Sequence, residues 1–384
     1  MRLLALLSVL LTVQLNVAVS YYDAATCGKA LSPRDRRSLA VRGVRTRRAA
    51  NDDEEEEEEE EKVASGQVTA PKEVEEKDED EAAEEAAMGQ DDESQTEKIM
   101  GGTDARVGEL PWAVLIKITK ESGSSVFCGG TLISKRHVIT AAHCFIKGSL
   151  KKNKCDRSMQ MSEEEIVKEV SLSIGGICSE TKPGSCPQSE LGQLAHVKRV
   201  ILSTPFFQDN CFKSLWDVAI LELAETITTP HACLPHLHNM DSFRLAHAEM
   251  HSFGYGSDPT KGIIFNTRLQ KVNLGLPQEA SMCKEYWRLP YDWLICTRET
   301  ATQNVCQGDS GGGILSQHVG RFHLMGLISF GSSCDIGLEN VELADAQVNM
   351  DLRLYTATID KLLLRQTPNY RHLWREKKTN GPAV

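Results

Sequence analysis

QNVCQGDSGGG, Gln303–Gly313, sets a serine between an aspartate and a run of glycines. The serine is either a catalytic nucleophile or part of a tight turn in a polar loop, and the rest of the chain has to choose. A serine attacks a carbonyl only when a base takes its proton, a carboxylate fixes the base in one tautomer, and N–H donors meet the oxyanion. ITAAHCF (Ile139–Phe145) offers His143 just after a strand-like run, and WDVAILEL (Trp216–Leu223) offers Asp217 just before one. GDSGG offers Ser310 as nucleophile, with the Gly308 and Ser310 N–H groups as oxyanion donors. Alone, a histidine beside a cysteine is commonly structural, and an aspartate before an apolar run is commonly a turn residue. Together, in the order His, Asp, Ser, they specify acyl transfer.

The chain has 384 residues and begins with one basic residue, Arg2, followed by the apolar run LLALLSVLLTV. Ala18 and Ser20 stand at signal-peptidase spacing before Tyr21, so residues 1–20 read as a signal peptide and the remainder as exported. Export turns the 12 cysteines into expected disulfides, and with no Cys-x-x-Cys pair a metal site is not expected.

Charge is segregated. Residues 51–98 hold 23 Asp and Glu against 4 Lys, while residues 99–384 hold 29 acidic against 30 basic, so the net −11 belongs to the leader. DDEEEEEEEE (Asp52–Glu61) and EVEEKDEDEAAEEAA behind it repel themselves and bury nothing, which predicts a disordered acidic segment. Its role is a solubilising spacer or a guard over Lys98. RDRR (Arg34–Arg37) and RTRR (Arg45–Arg48) are either sites for a furin-like processing protease or solvated basic loops. The near-neutral body predicts neither nucleic acid nor membrane as a partner.

After Lys98 short runs rich in Val, Ile, Leu and Phe alternate with turn residues. Examples are WAVLIKIT (Trp112–Thr119), GTLISKRHVITA (Gly130–Ala141), VSLSIGG (Val170–Gly176) and RFHLMGLISFG (Arg321–Gly331). That pattern predicts an all-β fold. Tyr355, Ile359, Leu362 and Leu363 form an i, i+4, i+7, i+8 stripe that predicts one C-terminal helix, and the tail from Thr367 (residues 367–384) is polar.

From Ile99 to about Arg365 the sequence resembles the trypsin/chymotrypsin family of serine proteases. The resemblance implies two orthogonal six-stranded β-barrels with the triad in the cleft between them, in a protease domain of residues 99–366. KIMGG (Lys98–Gly102) resembles the family's activation junction. It implies that residues 21–98 are a propeptide, that cleavage follows Lys98, and that the Ile99 ammonium then pairs with Asp309. The resemblance further implies four bridges: Cys128–Cys144, Cys283–Cys296, Cys306–Cys334, and Cys27–Cys233 tying the propeptide to the protease. A further family bridge has Met250 and Ser316 at its approximate ends here, both partners absent together. Cys155, Cys178, Cys186 and Cys211 remain, in a His143–Asp217 interval about thirty residues longer than in chymotrypsin, and three pairings are open.

The pocket departs from the trypsin pattern. The position that is aspartate in trypsin-like members is Asn304, which disfavours a cationic P1 side chain and predicts a neutral one. Ser329, Phe330 and Gly331 match the strand that forms one wall. On the other wall, ELADAQVNMDLRLY (Glu342–Tyr355) places either Gln347, which shortens or polarises the pocket, or Asp345, which restores affinity for basic residues. The expected partners are protein or peptide substrates, an activating trypsin-like protease and protein protease inhibitors, with no cofactor. The rival reading is a catalytically silent homologue that serves as an interaction module.

Overall fold

A computed structural model describes residues 22–31, 99–120, 123–147, 155–180, 184–208, 211, 216–300, 302–334 and 346–363. The leader, both Arg-rich runs, the acidic segment, Lys98, Asp345 and the polar tail lie outside the described residues.

The protease region enters through a two-residue strand, β1 (Thr103–Asp104), and then builds β2 (Ala113–Thr119), β3 (Ser125–Ser134) and β4 (His137–Thr140). With β5 (Val170–Ile174), β6 (Gln193–Leu202) and β7 (Ala219–Leu223) these close into a six-stranded barrel in the order β2-β3-β4-β7-β6-β5. Every pairing is antiparallel. Val, Ile and Thr recur through these strands, where β-branched side chains pack well on a pleated surface. Ile116, Leu132, Ile139, Leu172 and Ile220 from five of these strands are buried in one core.

A second sheet holds β8 (Met250–Gly254), β9 (Gln270–Gly275), β10 (Leu294–Thr297), β11 (Gly313–His318), β12 (Arg321–Phe330) and β13 (Gln347–Asp351). Its order is β1-β9-β8-β11-β12-β13-β10. The six strands expected here are therefore joined by a seventh, β1, which pairs with β9 at the edge. Among the described residues an isolated bridge between Gln278, just past β9, and Cys296 in β10 links the β9 side of this sheet to its far edge. Met250 and Ser316, both buried, stand opposite each other in the antiparallel β8–β11 register set by Leu315 opposite His251.

Helices are short and peripheral. They are α1 (Glu163–Glu169), α2 (Thr204–Gln208), α3 (Ala280–Trp287) and α4 (Thr356–Leu363). A reciprocal capping box between Ser162 and Glu165 starts α1. The stripe expected at the C-terminus lies on α4 and the turn before it, with Tyr355, Ile359 and Leu363 buried.

The two sheets meet where Gly129 of β3 donates its N–H to the Ser310 carbonyl at 2.8 Å. A Cβ at Gly129 would lie 2.9 Å from Gly312 Cα, so only glycine lets the backbones approach this closely. That contact sets the height of the serine loop against the first barrel.

Candidate active site

His143 lies in a short 3₁₀ turn, Ala142–Phe145, that β4 leads into, and Asp217 lies two residues before β7. Because β4 and β7 pair directly, His137 opposite Glu222 through Thr140 opposite Ala219, their ends deliver the two side chains to one place. Asp217 is wholly buried; its Oδ2 accepts from His143 Nδ1 at 2.8 Å and its Oδ1 from the His143 backbone N–H at 2.9 Å. A third donor comes from the second sheet, where the Ser329 hydroxyl reaches Asp217 Oδ2 at 2.5 Å. With three donors the carboxylate is held in one orientation. Nδ1 of His143 then carries its proton, and Nε2 is left as the acceptor. Tyr291 and Tyr355, buried nearby, have phenols pushed up by burial first and by the Asp217 charge second.

Ser310 comes from the loop before β11. It lines, with His143 and Gly308, a cavity of about 440 Å³ that extends past Phe127, Lys147 and Met161. Gly308 has φ +98°, a conformation that side chains rarely adopt. Among the described residues, neither the Gly308 nor the Ser310 N–H donates elsewhere, so both are available to an oxyanion.

Asp309 points away from this cavity. Its Oδ1 accepts from Gly256 N–H at 2.7 Å and its Oδ2 from Cys306 N–H at 2.9 Å. Burial nonetheless pushes its pKa up to about 7, against those two donors. Ile99 is fully buried in a small apolar cluster with Val305, Ile314 and Ile328, and Met100 accepts from Asn304 N–H at 2.9 Å. The segment after Lys98 is thus packed against the loop that carries Asp309.

The pocket residues divide. Ser329 turns its hydroxyl to Asp217 rather than to open space, and Phe330 packs edge-on against Trp287 at 5.5 Å. Asn304 is 2% exposed, and its carbonyl oxygen accepts from the next residue's N–H, Val305, at 2.9 Å. Gln347 opens β13 opposite Thr297 and is buried. Phe330 pairs with Val348, which sets Gln347 beside Gly331. Sequence reading passed over Glu299, which is buried and accepts from Ser332 N–H through Oε1 at 2.8 Å. The available signal was an acid inside the loop between Cys296 and Cys306, where Asn304 drew all the attention.

The structure joins Cys27–Cys233, Cys128–Cys144, Cys283–Cys296 and Cys306–Cys334. Of the three open pairings it has Cys155–Cys211 with Cys178–Cys186. The sulfurs near His143 are therefore spent in a bridge. The N-terminal piece 22–31 does more than hang from Cys27. Tyr22 Oη lies 2.8 Å from His238 Nε2, Asp23 N–H donates to His231 Nε2 at 2.8 Å, and Arg321 donates to the carbonyls of Ala24, Ala25 and Cys27.

The Trypsin family model matches residues 99–175 and 179–344. Trypsin-like protease try-5 of Caenorhabditis elegans is 33% identical over 267 residues, covering 63% of this chain and 80% of the relative. Phenoloxidase-activating factor 3 of Holotrichia diomphalia is 27% identical over 62% of this chain and 66% of its own length. Proclotting enzyme of Tachypleus tridentatus is also 27% identical, over 62% of this chain and 60% of its own length. The chain thus spans less than two thirds of the last two.

Proposed function

The chain belongs to the trypsin family of serine endopeptidases, and from that premise we propose that it is a secreted precursor that hydrolyses peptide bonds through Ser310, His143 and Asp217. The observation that carries this reading is the Asp217–His143 pair at 2.8 Å, with Ser310 on the same cavity wall. Ser310 Oγ attacks the scissile carbonyl carbon and gives its proton to His143 Nε2. The C=O electron pair moves onto oxygen, where the Gly308 and Ser310 N–H groups stabilise it. Collapse breaks the C–N bond, and His143 returns the proton to the leaving amine. Water repeats the sequence on the acyl-enzyme, restoring Ser310. Asp217 remains ionised throughout and stabilises the imidazolium.

Activation follows cleavage after Lys98. Ile99 has φ +60°, a costly conformation for a β-branched residue. Cutting the Lys98–Ile99 bond removes that dihedral and creates an ammonium. The partner is Asp309, whose buried carboxyl has its pKa raised to about 7 and gains from a neighbouring cation. Secretion is supported by the signal-like residues 1–20 and by six disulfides in the chain. Among the described residues no helix is long and apolar enough to cross a membrane. The names of two relatives, an activating factor and a proclotting enzyme, support a protein substrate and an upstream activating protease. The propeptide's Arg-rich runs suit a furin-like protease, and the cavity beside Ser310 and His143 suits protein inhibitors.

The test is a fluorophosphonate probe applied before and after tryptic cleavage at Lys98. Labelling of Ser310 only after cleavage is expected. An unlabelled, intact Ser310 in the cut chain would defeat the hydrolase reading in favour of a silent homologue.

A further inference from the structure

The cavity on which Ser310 and His143 lie opens on the Cys128–Cys144 bridge, and among the described residues neither Asn304 nor any of Ser329–Gly331 lines it. A peptide held at Ser310 has its acyl half toward the Ser329–Gly331 wall. Its amine half, which takes the proton from His143 Nε2, therefore leaves into this cavity. The far wall comes from the long interval between His143 and Asp217. Lys147 N–H donates to the Met159 carbonyl at 2.6 Å, and Met161 N–H to the Phe145 carbonyl at 3.0 Å. The Cys155–Cys211 bridge ties the same segment down. α1 follows at once, started by the Ser162–Glu165 capping box, and Glu165 Oε1 lies 2.6 Å from Lys147 Nζ. Two backbone bonds, a bridge and an ion pair thus hold Met161 and α1 against the turn that carries His143.

The lining is apolar, and its charges cancel. Ile118 and Met161 are buried, and Phe127 is held by stacking on Phe265 at 4.2 Å. The charged groups are Lys120, Lys147, Glu165 and Glu169, two of each sign, with Lys147 and Glu165 already paired. A charged side chain entering here would lose water without meeting a net opposite charge, whereas an apolar one gains by burial. At about 440 Å³ the cavity admits a Leu, Met or Phe side chain with the backbone that carries it. Met161 is unbranched and adapts to either a branched or an aromatic neighbour. We propose that the insertion between His143 and Asp217 makes the protein select a large apolar residue within the first two positions after the scissile bond, with Met161 deciding the preference. This rests on the reading of Ser310 as nucleophile and of Ser329–Gly331 as the acyl-side wall, and it adds a substrate class that the triad does not imply.

The test uses the full chain cleaved after Lys98 by immobilised trypsin and acylated by peptide thiobenzyl esters with Ala, Phe or Lys as the acyl residue. Acyl transfer to added dipeptide amides is then measured against hydrolysis by water. The amides are Xaa-Gly and Gly-Xaa, with Leu, Phe, Gly, Asp or Lys as Xaa. In at least one series Leu and Phe should exceed Gly, Asp and Lys by about 10- to 100-fold. The partition compares two nucleophiles on one acyl-enzyme, so it does not depend on how much of a variant folds. Met161→Ala should lower the Leu-over-Gly ratio about fivefold, and Met161→Leu, close in volume, should keep it. Ester hydrolysis with no preference among the amides, a preference for Asp or Lys, or a Met161→Ala ratio equal to wild type overturns the proposal and leaves the hydrolase reading standing. No ester turnover and no fluorophosphonate labelling of Ser310 would sink the hydrolase reading, and the proposal with it.

Discussion

The hydroxyl of Ser329 in β12 donates to Asp217 Oδ2 at 2.5 Å, joining the second sheet to the carboxylate that His143 leans on. Asp217 is wholly buried, so each donor it loses cannot be replaced by water. Ser329→Ala should therefore lower kcat about tenfold with a smaller change in KM, because hydrogen bonds to charged groups contribute about 1.5–3 kcal/mol. The loss should be accompanied by a shift in the pH–rate profile as His143 feels a changed carboxylate. Equal kcat in variant and wild type would remove Ser329 from the positioning role.

Asp309 ties the uncut chain's stability to pH. Its folded pKa, raised from 3.8 to about 7 by burial, means the folded state binds the extra proton between those values. Stability from this group is thus present at low pH and lost as pH rises through about 7. In the uncut Ser310→Ala chain, Asp309→Asn should remove that fall, read as a flatter melting temperature between pH 4 and pH 7. After cleavage at Lys98 the sign reverses, because an ammonium beside Asp309 favours the charged form.

The histidines under the N-terminal piece act in the opposite sense. Burial lowers the pKa of His231 and His238, and takes His323 from 6.5 to about 4. Their neutral forms hold Tyr22 and Asp23, and His238 packs edge-on against His323 at 5.4 Å beside Arg321. This contribution is present above pH 6.5 and is lost as pH falls toward 4. Protection of the residues 22–31 amides, taken as the exchange rate relative to the intrinsic rate at each pH, should fall at least severalfold between pH 7 and pH 4.5, and protection that ignores pH would reject the linkage.

The Cys27–Cys233 bridge spans 206 residues of sequence and crosses the Lys98 junction. A chain cut after Lys98 should keep its N-terminal peptide on a non-reducing gel and release it on reduction. Cys27→Ser should release it on a denaturing gel without reduction, because the remaining contacts, those of Tyr22, Asp23, Gly28, Leu31 and Arg321 among them, are non-covalent.

Much of this protein was legible one stretch at a time. GDSGG, ITAAHCF and WDVAILEL each carry their chemistry within a few residues of a strand end, so reading them needed no tertiary information. The long β-runs gave the fold class for the same reason. β6 was not singled out, although QLAHVKRVIL buries alternate residues at its start, because its polar positions broke the apolar run. β1 escaped because a two-residue strand has no period to read.

The sequence by itself determined the all-β class, the order of His143, Asp217 and Ser310, and the resemblance from which four bridges followed. Tertiary structure alone decided how Cys155, Cys178, Cys186 and Cys211 pair, that Ser329 faces Asp217, and that Glu299 and Gln347 both approach Gly331. The division has a physical cause. Motif chemistry is set by neighbours along the chain. Which side chains from separate loops approach each other depends on strand register, here Phe330 opposite Val348 and Thr297 opposite Gln347, and no local pattern encodes that distance.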